Sequence, residues 1–193
     1  VGLDGTLYVA FDQGLGDSWT DSPGSYNGKV LRLNPDGTTP RDNKLGSPLF
    51  AAGYRFPCGI GWDEDSGAVW VAGHDESAFL DVLGPGADGP GTRLARFLLP
   101  ADVTPSGLSV YHSNRAPLLK NNVLVASPRT GELLRLTHST NLPEAPVSER
   151  LLSGDVGAIH ALGVSTDGLI YFGSDRGIGI LVPESLAPGA VDD

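Results

Sequence analysis

A short pattern recurs along this chain: a turn that ends in glycine, then four or five apolar residues. Asp4-Gly5 leads into Leu7-Tyr8-Val9-Ala10-Phe11, Ser66-Gly67 into Val69-Trp70-Val71-Ala72, and Asp167-Gly168 into Leu169-Ile170-Tyr171-Phe172. Val123-Leu124-Val125-Ala126 supplies a fourth run of the same kind. Hairpin turns need a positive φ, which glycine adopts without steric cost. Further strand-like segments flank these runs. Pro57 to Trp62 and Ile159 to Val164 lie upstream, Lys29 to Leu33 ends in the turn Asn34-Pro35-Asp36-Gly37, and Arg129-Thr130-Gly131-Glu132 leads into Leu133 to Leu136. The central residues Tyr8, Trp70, Leu124 and Tyr171 are 62, 54 and 47 positions apart. One repeat is thus three or four antiparallel strands, which suits a β-propeller blade with loop insertions. Four blades are expected here, and an all-β sandwich of regular strands is the alternative.

The 27 glycines and 15 prolines argue for the same class, because they interrupt every stretch long enough for a helix. Two breaker-rich stretches, Asp12 to Asn27 and Gly84 to Gly91, are expected to be loops on a propeller face. Nothing marks a second domain, so residues 1–193 are expected to form one partial propeller. Methionine is absent and the chain begins within the pattern, which is expected of a piece of a longer polypeptide.

The charge narrows the partners. Thirteen basic against 23 acidic residues leave −10, a poor match for nucleic acid or an anionic membrane surface. No apolar run approaches the 18 or so residues that a membrane-crossing helix needs. Cys58 is the only cysteine, which excludes an internal disulfide and a thiolate metal cluster within these residues. Gly-x-Ser-x-Gly, P-loop and His-Glu-x-x-His patterns are absent.

The segment Gly28-Lys29-Val30-Leu31-Arg32-Leu33-Asn34-Pro35-Asp36-Gly37-Thr38-Thr39-Pro40-Arg41-Asp42-Asn43 resembles a signature of the soluble glucose/sorbosone dehydrogenase family. Gly53-Tyr54-Arg55-Phe56-Pro57-Cys58-Gly59-Ile60-Gly61-Trp62 follows in the family's order, then Ser66 to Val71 and Pro105-Ser106-Gly107-Leu108-Ser109-Val110-Tyr111. Val123 to Leu136 and Val164 to Asp175 are similar to the last two blades. The resemblance covers the family's C-terminal portion. It implies a six-bladed parent that oxidises a sugar at C1 with pyrroloquinoline quinone (PQQ) and Ca²⁺, the catalytic His lying in blades outside this sequence.

The resemblance also places the site residues. Arg55 matches a motif Arg suited to holding a cofactor carboxylate, while Phe56 and Cys58 stand where that motif carries Asn and Gln. His74, Asp75 and Glu76 fall where the family runs Glu-His-Gly and then an acidic cluster. Adjacent carboxylates there suit a hard cation, and a solvated acidic loop is the other reading. Arg129 lies at a basic cofactor-contacting position, or is an exposed turn residue. Ala158 and His160 stand where PQQ-binding members carry two Arg, so His160 is the basic group left for the cofactor. Asp12, Asp17 and Asp21 form a separate set of loop carboxylates. Trp19, Tyr26, Trp62 and Trp70 offer rings for sugar stacking, although Trp62 and Trp70 lie in strands and are expected in the core.

Two functions stay open on these residues. One is a PQQ-dependent sugar dehydrogenase acting on a sugar or similar small molecule. The other is a degenerate, non-catalytic propeller that binds a protein partner, as in animal hedgehog-interacting proteins. The family implies export to the periplasm or the cell exterior.

Overall fold

The computed structural model describes residues 1–2, 4–14, 22, 24–43, 46–86, 89–137 and 146–182. Among the described residues, fourteen strands form four antiparallel sheets, the four blades of a β-propeller. The first holds β1 (Leu7–Ala10), β2 (Lys29–Leu33) and β3 (Leu49–Ala52) in that order. The second holds β4 (Phe56–Trp62), β5 (Val69–His74), β6 (Ala78–Gly86) and β7 (Gly89–Leu98). The third is β8 (Gly107–Tyr111), β9 (Asn122–Ser127), β10 (Glu132–Thr137) and β11 (Val147–Leu151). The last is β12 (Ile159–Val164), β13 (Ile170–Ser174) and β14 (Gly177–Leu181).

The repeating turns do what their glycines allow. Gly67 sits at φ +70° before β5 and Gly168 at φ +82° before β13, in the left-handed region. The apolar runs that follow are the second strands of their blades, and β1 is the equivalent of β5 by its turn. Side chains of a strand alternate between faces, and here each face meets a different blade. Val69 and Val71 pack with Val30 and Phe50 of the first blade and with Tyr54 in the connection that follows it. Trp70 and Ala72 pack with Leu108, Val123 and Val125 of the third. Leu124 and Ala126 then join Ile170, Ile159 and Phe172 of the last blade in two smaller clusters. A sheet buried on both faces needs continuous apolar strands, which explains runs without polar alternation. Each fully buried Val, Leu, Ile or Phe contributes about 1.5–3 kcal/mol.

Blades meet closely at their innermost strands. A Cβ at Gly59 of β4 would lie 2.6 Å from the backbone nitrogen of Leu108 on β8, so only glycine fits there. The Ser106 hydroxyl donates to the Ile159 carbonyl (2.8 Å), which ties the start of β8 to the start of β12. The starts of β4, β8 and β12 therefore share one end of the molecule.

One expected loop is corrected. Gly84 to Gly91 is largely a hairpin extension of β6 and β7, with Gly84 opposite Thr92 and Gly86 opposite Gly89. Pairing with the neighbouring strand overrides the breakers, and two register shifts absorb the misfit. Of the stretch Asp12 to Asn27, the described residues contain no strand. Asp17, Asp21 and Trp19 lie outside the described residues. Trp70 is buried as expected, and Trp62 is half-buried against Tyr8.

Candidate functional site

The ends of the strands bring the residues named from the resemblance to one rim. Arg55 immediately precedes β4, and His74 ends β5 directly opposite Phe56. Gly107, the first residue of β8, pairs with Ala126 near the end of β9, and Arg129 lies in the turn just beyond. His160 is the second residue of β12. Arg55, His74, Asp75, Glu76, Arg129 and His160 thus occupy the same end of the sheets.

Arg55 is held by its backbone and free at its tip. Its N–H donates to Asp75 Oδ1 (2.9 Å), and its carbonyl accepts from the Gln13 N–H (2.9 Å). Among the described residues its guanidinium has no ion-pair partner. The other Asp75 oxygen faces Arg96 Nη1 at 3.4 Å. Arg96 in turn grips Asp81 with two bonds of 2.7 and 2.9 Å and lies 4.0 Å from the Phe79 ring centroid. Asp81 is completely buried, and Arg93 reaches its second oxygen at 2.7 Å. The hydrogen bonds that Arg96 donates to Asp81 push its guanidinium above its ordinary pKa, so it is charged at any working pH. A cavity of about 470 Å³ opens here, lined by Gln13, Tyr54, Arg55, Asp75, Glu76 and Arg96. Burial raises the Tyr54 phenol well above its usual range, so it stays neutral.

The sequence reading missed Asp81 and Arg96. A carboxylate inside the apolar run Phe79-Leu80-Asp81-Val82-Leu83 was the available signal, because a buried charge needs a partner. Asp81 stands opposite Arg96 in the strand register.

The other rim groups are more exposed. His160 Nε2 meets Asp175 Oδ1 at 2.7 Å, and this hydrogen bond holds the Asp175 carboxyl below the usual carboxylate range. Asp175 Oδ2 also accepts from the Ala158 N–H (3.3 Å). Arg129 lies close enough to Asp102 to help lower its pKa, after the stronger hydrogen bond from Arg150. Cys58 is half-buried and its thiol donates to the Phe56 carbonyl (3.1 Å). Burial raises its pKa, so it is a protonated, weakly reactive group.

At the opposite end, Asp63, Asp65 and His112 place ligand atoms within 4.8 Å of one another. Two of the three already serve the turn between β4 and β5. Asp63 accepts from the Asp65 N–H (3.2 Å) and the Ser66 hydroxyl (2.5 Å), and His112 Nε2 accepts from the Glu64 N–H (3.2 Å). The sequence reading did not single out this group.

The sequence model of the Glucose / Sorbosone dehydrogenase family matches residues 1–88. Arg55, His74, Asp75 and Glu76 fall inside that match, whereas Arg129 and His160 lie beyond it. No curated protein matches the chain by sequence. Solved structures match it by fold. The PQQ-bound aldose sugar dehydrogenase of Streptomyces coelicolor is similar over 91% of this chain and 55% of its own, at 19% identity and a TM-score of 0.69. A Thermus thermophilus putative oxidoreductase described as a glucose dehydrogenase covers 91% and 57%, at 24% identity and a TM-score of 0.72. The soluble aldose sugar dehydrogenase of Escherichia coli, in its apo-form, covers 91% and 60%, at 16% identity and a TM-score of 0.74. The chain spans little more than half the length of these structures. It therefore resembles the glucose/sorbosone dehydrogenase family in sequence over its first 88 residues, and shares the propeller fold of those sugar dehydrogenases over about nine-tenths of its own length.

Proposed function

We propose that this chain forms the cofactor-holding part of a PQQ-dependent sugar dehydrogenase propeller. The observation that carries the reading is the rim that presents Arg55 and Arg129 at one end of the sheets. Both guanidiniums lack an ion pair among the described residues. A cofactor with three carboxylates needs such groups, and a planar guanidinium grips a carboxylate through two parallel bonds. The bound quinone would supply the hydride acceptor for oxidation of a sugar C1. Arg55 holds a carboxylate from a backbone that is already fixed, while Arg129 adds a second positive charge from the neighbouring blade. His160 is oriented by Asp175 and adds positive charge when protonated. His74 completes the basic set. Export to the periplasm or cell exterior belongs to the same reading.

Calcium fits these residues less well. Asp75 spends one oxygen on the Arg55 N–H and turns the other to Arg96. That leaves Glu76 as the free carboxylate of the pair, against the six to eight oxygens Ca²⁺ ordinarily takes.

Reconstitution tests the reading. The full-length protein is incubated with PQQ and assayed for aldose oxidation with an artificial electron acceptor. Turnover that requires PQQ is expected. Absence of both turnover and PQQ binding at high micromolar cofactor would overturn the proposal.

A further inference from the structure

We infer that Asp75 is a positioning residue for Arg55 and not a metal ligand. The inference rests on the cofactor-holding reading of Arg55. The Arg55 peptide group is held on both sides, its N–H by Asp75 Oδ1 and its carbonyl by the Gln13 N–H, each at 2.9 Å. Its side chain carries no ion pair among the described residues, so a fixed backbone supports an unengaged guanidinium. Asp75 is itself held. Its own N–H donates to the Ser77 carbonyl (3.1 Å) and closes the turn after β5. Its second oxygen faces Arg96, which is locked by two bonds to the fully buried Asp81 and lies over the Phe79 ring. Arg93 holds Asp81 from the other side.

These contacts form a chain from the core to the site: Asp81, Arg96, Asp75, then the Arg55 backbone. Asp81 is the buried anchor, and the partly exposed Arg96 and Asp75 take their orientation from it through successive contacts. A calcium ligand needs a carboxylate turned to the ion, whereas both Asp75 oxygens are turned to protein donors, one of them the cationic guanidinium of Arg96.

The test uses the full-length protein with Asp75→Ala, Asp75→Asn and Arg96→Met variants. Amide hydrogen exchange of the peptide containing Arg55 is measured alongside PQQ affinity by fluorescence and Ca²⁺ stoichiometry by calorimetry. Asp75→Ala should speed exchange at Arg55 about tenfold, the effect of one charge-assisted backbone hydrogen bond, and weaken PQQ to a similar degree. Asp75→Asn keeps an acceptor oxygen and should restore both to within about threefold. Arg96→Met should fall between the two. Unchanged exchange at Arg55 in Asp75→Ala would overturn the inference. So would an Asp75→Asn variant that loses one bound Ca²⁺ and binds PQQ as poorly as Asp75→Ala. If the parent protein binds no PQQ, the functional reading fails and the exchange data alone decide whether Asp75 positions Arg55. Protection of the buried β5 and β9 amides checks that each variant is folded.

Discussion

The two central blades and the two flanking blades carry similar repeats and live in different surroundings. Every residue of β9 is buried, and five of the six residues of β5. In the last blade, Ile178 is 84% exposed and Ile180 and Val182 are about half exposed. Val9, Phe11 and Tyr26 of the first blade are also open to solvent. Strand pairing within each sheet is similar, so pairing alone does not bury a blade. Burial comes from a neighbouring blade on each face, and within the described residues each flanking blade meets one such neighbour. Repeat architectures gain stability at such interfaces, unit against unit.

Substitutions sharpen this contrast. Trp70→Ala removes the largest buried side chain between the second and third blades and should cost about 3–5 kcal/mol in chemical denaturation. Measured on residues 1–193, Ile178→Ala on the last blade should change stability by less than about 0.5 kcal/mol. Equal losses would break the comparison.

Charges should divide in the same way. Asp81→Ala removes the shared partner of Arg93 and Arg96, whose side chains are about one-third exposed, and should cost about 1–3 kcal/mol in the same denaturation experiment. Asp167 pairs with Arg115 at 3.6 Å on the surface, and Asp167→Ala should leave the melting temperature unchanged within error.

Cys58 gives a smaller, pH-dependent effect. Burial favours its neutral thiol, so the folded pKa is above the unfolded one. Alkylation at pH 8 should be slower than for a free cysteine and accelerate only above the ordinary thiol range, as followed by mass spectrometry. Alkylation as fast as that of a free cysteine would place the thiol in open solvent.

The smallest effect concerns Asp175. Its hydrogen bond to His160 lowers the folded pKa, so its contribution is complete above the ordinary carboxylate value. That contribution is lost as pH falls through the lowered folded value. A His160→Ala variant should bring the Asp175 carboxyl titration, read by NMR, back toward its ordinary range.

The blade count was legible because four apolar runs recur and three of them follow a glycine turn. Tyr8, Trp70, Leu124 and Tyr171 mark them at sight. The outer strands were harder to find. Four of the five residues of β11, Val147–Leu151, are exposed, and its sequence carries no apolar run. β7 begins among glycines, so the hairpin with β6 read as a loop. Arg55, Asp75 and Glu76 were named through the resemblance, and the structure places them around one cavity. Asp81 and Arg96 were not found, because their relation is a cross-strand register and no local pattern encodes it. The binding of Asp75 to a backbone amide 20 positions away is likewise invisible in composition or spacing.

The central claim is that the Arg55 and Arg129 rim holds an anionic quinone. An equilibrium titration of the full-length protein with PQQ, repeated for Arg55→Ala and Arg129→Ala, tests it most directly. Saturable binding is expected, weakened about tenfold or more by each substitution, as for loss of a charge-assisted contact. Binding of equal strength in all three proteins, or in none of them, would contradict the account.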